Sequence, residues 1–132
     1  MKTEVTFSSK MENINIVEKI VEELSMHHKL GDEIYGNILV ACVEAVNNAI
    51  THGNRLDETK NVHVKVLVQN NSINVCVRDE GKGFDCSNIP DPTLPENIEK
   101  PHGRGIFLIN HLADEVKFNI NGTEVEMTFN LA

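Results

Sequence analysis

Glu44 and Asn48 stand four residues apart in EAVNNAITH, a stretch whose apolar residues recur at helical spacing. Positions i and i+4 share one face of a helix. A carboxylate beside a carboxamide offers a general base and an oxygen ligand for magnesium. Asn47 and Thr51 lie within about a quarter turn of the same stripe, while Ile38, Cys42, Ala45, Val46 and Ala49 point the other way. Any amphipathic helix shows a polar face opposite its core face. Two asparagines in mid-helix are the departure here, because Asn is a poor helix former and a solvated face ordinarily carries Lys, Glu, Gln or Arg.

A second cluster, RDEGKGF at 78–84, follows an apolar strand pattern with two adjacent carboxylates and two glycines. A hairpin turn accounts for this composition when the stretch is read alone. Asp79 and Glu80 repel each other, however, and Gly81 and Gly83 cost ordering entropy that a plain turn avoids. A third segment, HGRGIFLI at 102–109, places Gly103, Arg104 and Gly105 at the start of an apolar helix. Glycines there let backbone N–H groups approach an anion that the helix dipole favours, although close helix packing explains them as well. Neither glycine pair completes the dinucleotide fingerprint, and no G-x-x-x-x-G-K-[ST] is present, which excludes a P-loop protein.

The elements that must position these residues follow from periodicity. VTF (Val5 to Phe7) suits a short edge strand. In SSKMENINIVEKIVEEL the serines are fit to cap a helix, with Ile14, Val17, Ile20, Val21 and Leu24 along one face. After Gly31, Asp32 is placed to cap a longer helix that ends near Gly53. VHVKVLV alternates cleanly, and Asn70–Asn71 turns it into INVCVRD. All four prolines fall within CSNIPDPTLPENIEKP, a long irregular segment of the kind that is either a functional lid or disordered. A short helix and two more strands around Asn121–Gly122 close the chain. The order β-α-α-β-β-lid-α-β-β implies an α/β fold: a two-layer sandwich with a mixed, mostly antiparallel sheet and its helices on one face.

Composition bounds the function. A chain of 132 residues suits one domain spanning 1–132, with a lid at about 86–102. The net charge of −8 argues against a phosphate-backbone binder, so no direct nucleic-acid partner is expected. An acidic chain can still bind ATP where local dipoles and a metal ion offset the phosphate charge. No apolar run reaches membrane-span length and MKTEVTF lacks a signal-peptide core, so no membrane association and a cytoplasmic location are expected. Cys42, Cys76 and Cys86 show no C-x-x-C spacing and the histidines no H-E-x-x-H, which leaves no side-chain metal cage in view.

Four segments in order, EAVNNA at 44–49, DEGKGF at 79–84, HGRGI at 102–106 and GTEV at 122–125, resemble the signature boxes of the GHKL ATPase/kinase superfamily, which includes gyrase B and the histidine kinases. No histidine is followed by an acidic residue, as a phosphoacceptor motif usually has. PDPTLPENIEKPHGRGIFLI is similar to the anti-sigma factor serine/threonine kinase branch. That resemblance implies ATP and Mg2+ as cofactors and the GHKL sandwich as the fold. It implies that Asp79 accepts a hydrogen bond from the adenine amino group, that Gly81 and Gly83 give the base access, and that Thr123 helps hold adenine through a water. It further implies Asn48 as the magnesium ligand, Glu44 as the base for an acceptor hydroxyl, and Gly103, Arg104 and Gly105 along the phosphates. His102 departs from the small polar residue expected there and reads as a lid-packing side chain; Glu80 reads as a solvated neighbour of Asp79.

The implied activity is transfer of the ATP γ-phosphate to Ser or Thr of an anti-sigma antagonist protein, with a sigma factor as a second partner and a homodimer as the assembly, formed through the first strand and helix. An ATP-gated binding module without phosphotransfer is the alternative. Simple ATP hydrolysis ranks third, because the transducer domain of hydrolytic relatives has no counterpart in the sequence.

Overall fold

Strict alternation in a strand sends successive side chains to opposite faces. In NVHVKVLVQ it buries Val62, Val64 and Val66 and leaves His63 and Lys65 on the other side. The structure, a computed structural model, describes residues 2–82, 101–120 and 122–131. The strands are β1 (Lys2–Ser8), β2 (Asn61–Gln69), β3 (Ser72–Arg78), β4 (Glu115–Asn119) and β5 (Glu124–Asn130). They form one sheet in the order β1-β2-β3-β5-β4. Every pairing among the described residues is antiparallel. The sequence expectation of a mixed sheet is thereby narrowed. The connection after β3 carries β4 past one strand position, and β5 fills the gap, so the parallel pair β3 and β4 never touch.

Register aligns the apolar residues into rows across the sheet. Val5, Val64, Val77, Val125 and Phe118 are successive cross-strand partners on one face. Three helices cover that face: α1 (Ile14–His28), α2 (Asp32–Asn48) and α3 (Pro101–Leu112). Helix α1 buries Val17, Val21 and Leu24 at intervals of four and three, with Ile14 and Ile20 packed at the margin. Helix α2 buries Ile38, Ala41, Cys42, Ala45 and Val46, the face expected from its periodicity. The opposite sheet face stays polar, with Thr6, His63, Arg78, Glu124 and Asn119 in one cross-strand row.

Local departures have physical causes. The serines do not cap α1: a single 3-10 turn (Met11–Asn13) precedes it, and its N-terminal residue, Asn13, makes no capping bond. Instead the Asn13 amide donates to the Ser8 carbonyl (2.9 Å) and hydroxyl (3.1 Å), and Ser9 is buried. Gly31, not Asp32, occupies the position before α2, and Asp32 is the first helical residue. A π-helical turn (Ala49–Gly53) prolongs α2 to the glycine expected to end it. Asn70 and Asn71 both have positive φ (50° and 61°), the conformation that a two-residue hairpin demands and Asn tolerates. Pro101 opens α3, where its missing N–H costs no helical bond. Among the described residues no helix is long and apolar enough to cross a membrane.

Leu24 is buried on α1, remote in sequence from every candidate site residue. Leu24→Ala is expected to lower the unfolding free energy by about 2–5 kcal/mol, the usual cost of an unfilled core cavity. Urea denaturation followed by circular dichroism measures it.

Candidate functional site

Asp79 follows the last residue of β3, and the ladder with β5 continues through it: its N–H donates to the Thr123 carbonyl at 2.9 Å. Two residues 44 apart in sequence are thus made direct neighbours by register. Asp79 has the strand parity of Val77, Val75 and Ile73, so its carboxylate lies on the helix-covered side. There it borders a cavity of about 70 Å³. Ala45 and Asn48 of α2 form one wall, Ala49, His52 and Gly53 of the π turn a second, and Ile106 and Ile109 of α3 a third. Val77, Val125 and Phe118 supply the sheet floor, with Gly122 and Thr123 at the rim. An apolar slot with a few directed polar groups is the ordinary form of a small-molecule site.

Burial raises the Asp79 carboxyl above its usual range, against the lowering effects of the Gly81 N–H and of Lys60. That N–H donates to Asp79 Oδ1 at 2.8 Å and closes a tight turn. Among the described residues no N–H or O–H donates to the other carboxylate oxygen. The backbone around it is packed to contact. A Cβ on Gly53 would overlap the Asp79 carboxylate, and one on Gly81 would overlap the Gly53 carbonyl oxygen. Glycine at both positions is therefore a matter of space. The Thr123 hydroxyl donates to the Ile120 carbonyl at 2.8 Å, which orients its oxygen and leaves lone pairs free to accept.

Glu44 and Asn48 meet α3 at one point. A Cβ on Gly105 would come within 2.8 Å of Asn48 Nδ2, 3.1 Å of Asn48 Oδ1 and 3.2 Å of Glu44 Oε2. The absent side chain lets the start of α3 approach both polar groups. Gly103 and Arg104 fall in the first turn of that helix, where backbone N–H groups lack intrahelical partners. Thr51 leaves the polar stripe, because its hydroxyl is spent on the Asn47 carbonyl at 2.7 Å. Gly83, and the lid except for its helical end at Pro101 and His102, lie outside the described residues.

Glu80 departs from its expected role as a merely solvated neighbour. Its carboxylate accepts from the Asn61 N–H (2.9 Å) and pairs with His63 Nε2 (2.8 Å). These contacts hold its pKa below the ordinary value, the Asn61 N–H most and His63 next. Sequence reasoning also missed His52, Ile106, Ile109 and Phe118 as pocket walls. Isoleucines on a core face and a histidine after a helix carry no signal that distinguishes a pocket wall from ordinary packing. A magnesium ion that bridges phosphates keeps most of its waters and takes only one or two protein oxygens, so the single Asn48 carboxamide beside Glu44 suits it.

Residues 7–129 match the profile of the histidine kinase-like ATPase domain. Over 122 residues the chain is 26% identical to a serine-protein kinase RsbW of Oceanobacillus iheyensis, spanning 88% of this chain and 77% of that protein. Over 91 residues it is 33% identical to an anti-sigma F factor of Anoxybacillus flavithermus, spanning 64% and 61% respectively. The solved structure of the RsbU and RsbW domains of a Mycobacterium tuberculosis protein superposes with a TM-score of 0.71 at 15% identity. That match covers 99% of this chain and 32% of the other, and at this identity the likeness is one of fold.

The raised Asp79 pKa sets a sign for stability. Between the unfolded and the higher folded pKa the native state binds more protons, so stability falls as pH rises through that window. At neutral pH the ionised carboxylate therefore subtracts from stability. Asp79→Asn removes the charge and keeps an acceptor for Gly81. Its melting temperature is expected to equal or exceed that of the parent at about pH 7, with the difference shrinking in acid. Calorimetric melts of both proteins across pH test this, and a less stable variant at neutral pH would contradict it.

Proposed function

Because the chain belongs to the histidine kinase-like ATPase domain family, we propose that it is an ATP-dependent protein kinase of the anti-sigma type, which moves the γ-phosphoryl group of ATP to a serine or threonine hydroxyl of a small antagonist protein. Relatives named serine-protein kinase and anti-sigma F factor support this reading. The observation that carries it is the meeting of Glu44, Asn48 and Gly105 beside the pocket that Asp79 and Thr123 rim. A general base and a metal-binding oxygen thereby adjoin an apolar slot with a carboxylate at its edge.

Adenine occupies the slot in this proposal. The free oxygen of Asp79 accepts from its exocyclic amino group, and the Thr123 hydroxyl contacts it through a water. The Gly53–Asp79–Gly81 packing leaves the base flush against backbone, and Gly83 serves the same end. The triphosphate runs toward α3, where the first-turn N–H groups of Gly103 and Arg104 face it at a helix N-terminus and Gly105, without a side chain, leaves it room. Asn48 supplies the protein oxygen for magnesium, which when bound neutralises triphosphate charge. Glu44 takes the proton of the acceptor hydroxyl as its oxygen bonds to the γ-phosphorus. The bond from that phosphorus to the bridging oxygen breaks, and ADP leaves with the bond's electrons. Positioning and charge neutralisation carry most of the acceleration in such transfers. A sigma factor as second partner, a homodimer and a cytoplasmic location complete the proposal.

Isothermal calorimetry with ATP, with and without Mg2+, tests the site directly: binding strengthened by magnesium is expected, and no heat at any concentration would refute it. Glu44→Ala is expected to slow phosphoryl transfer to a purified antagonist protein by about 10²–10⁴-fold while leaving ATP affinity nearly unchanged. Parallel loss of both would assign Glu44 a structural role. Asp79→Asn is expected to weaken ATP binding itself, and unchanged affinity would remove Asp79 from the adenine site.

A further inference from the structure

Asn54 and Ser9 are the two buried polar residues among those described, each 1% exposed. Burying a carboxamide costs free energy unless its bonds are made. Those of Asn54 are made in three directions. Its Oδ1 accepts from the Glu80 N–H at 2.7 Å. Its Nδ2 donates to Ser9 Oγ at 2.8 Å and to the Asn61 carbonyl at 2.9 Å. The Ser9 hydroxyl in turn donates to the Lys60 carbonyl at 2.7 Å. One side chain thus joins the ends of β1 and β3 to the start of β2, from a loop whose next two residues, Arg55 and Leu56, have positive φ (53° and 60°).

We infer that Asn54 is the positioning residue of Asp79 and thereby sets the base selectivity of the nucleotide site, an inference that rests on the adenine role proposed for Asp79. The turn from Asp79 to Gly81 is pinned from both sides. Thr123 holds the Asp79 N–H, and Asn54 holds the next N–H, that of Glu80. The Glu80 carboxylate fastens the same turn to β2 through Asn61 and His63. Gly53, adjacent to Asn54, lies directly against the Asp79 carboxylate. A shift of this turn moves the free oxygen of Asp79 relative to the pocket. Selection of a 6-amino over a 6-oxo purine depends on that oxygen: it accepts from the first and faces a repelling carbonyl in the second. Aspartate cannot replace Asn54, because it would set an acceptor against the Asn61 carbonyl and lose both donors.

The test is competitive binding of ATP and ITP to the full chain with Mg2+, for the parent and for Asn54→Ala, Asn54→Asp, Ser9→Ala and Leu24→Ala. The parent is expected to prefer ATP. That preference falls about tenfold in both Asn54 variants and about threefold in Ser9→Ala, which loses one arm of the network. In Leu24→Ala, destabilised elsewhere, it stays at the parental value. Should the Asn54 variants fail to fold, Ser9→Ala decides. A parental ATP:ITP ratio in any folded Asn54 variant, or in Ser9→Ala if that is the folded one, overturns the positioning role while the adenine site stands. A parent that does not prefer ATP overturns the adenine role of Asp79, and this inference with it.

Discussion

The antiparallel ladder between β3 and β5 runs one residue past the end of both strands, and the site is built outward from the bond between the Asp79 N–H and the Thr123 carbonyl. Register is all-or-none in a sheet with one buried face. A slip by one residue would turn Ile73, Val75 and Val77 to solvent and Asp79 away from the helices. Apolar burial along the strand therefore enforces the direction of a carboxylate that contributes nothing to that burial. The same cross-strand row that runs under the helices, Val77 with Val125 and Phe118, becomes the pocket floor.

A carboxylate in such a place is held at a cost. Partial desolvation opposes its ionisation, and a single N–H from Gly81 offsets part of that opposition. A fully satisfied carboxylate would be more stable and would have no oxygen left for a ligand. The glycines at 53 and 81 serve the same compromise, since backbone packed against backbone keeps the slot narrow without a side chain to fill it. The core beneath is built mostly of aliphatic side chains.

The π turn at the end of α2 links the two halves of the site. A regular α-helix would carry the backbone onward at a constant 100° per residue. The wider turn brings His52 to the pocket wall and lays Gly53 and Asn54 against the end of β3. Such insertions recur at functional sites because they re-aim a few residues without disturbing the helix that precedes them. Here Glu44 and Asn48 stay on regular α-helix, facing Gly105, while the following residues reach the opposite wall.

Periodicity in the sequence was enough to place the three helices and five strands of the described residues, because burial on one face of each element is written locally, at intervals of 3.6 or two residues. As candidates, Glu44 with Asn48, and Asp79 with Gly81, stood out for the same reason: each set is local, and its composition departs from that of a solvated face or a plain turn. What the sequence could not state is any contact between distant segments. The adjacency of β3 to β5, and with it the pairing of Asp79 with Thr123, depends on which strand edge the chain returns to after α3. Ser9 read as a helix cap and Asn54 drew no reading at all, because a buried hydrogen-bond network leaves no periodic trace; each of its bonds joins groups that only the closed fold brings within 3 Å. Glu80 read as solvated for the same reason, since its partners Asn61 and His63 lie on a different strand. Local patterning determined which elements form and which residues stand out as candidates for chemistry; tertiary packing decided which of their oxygens are spent on bonds within the protein.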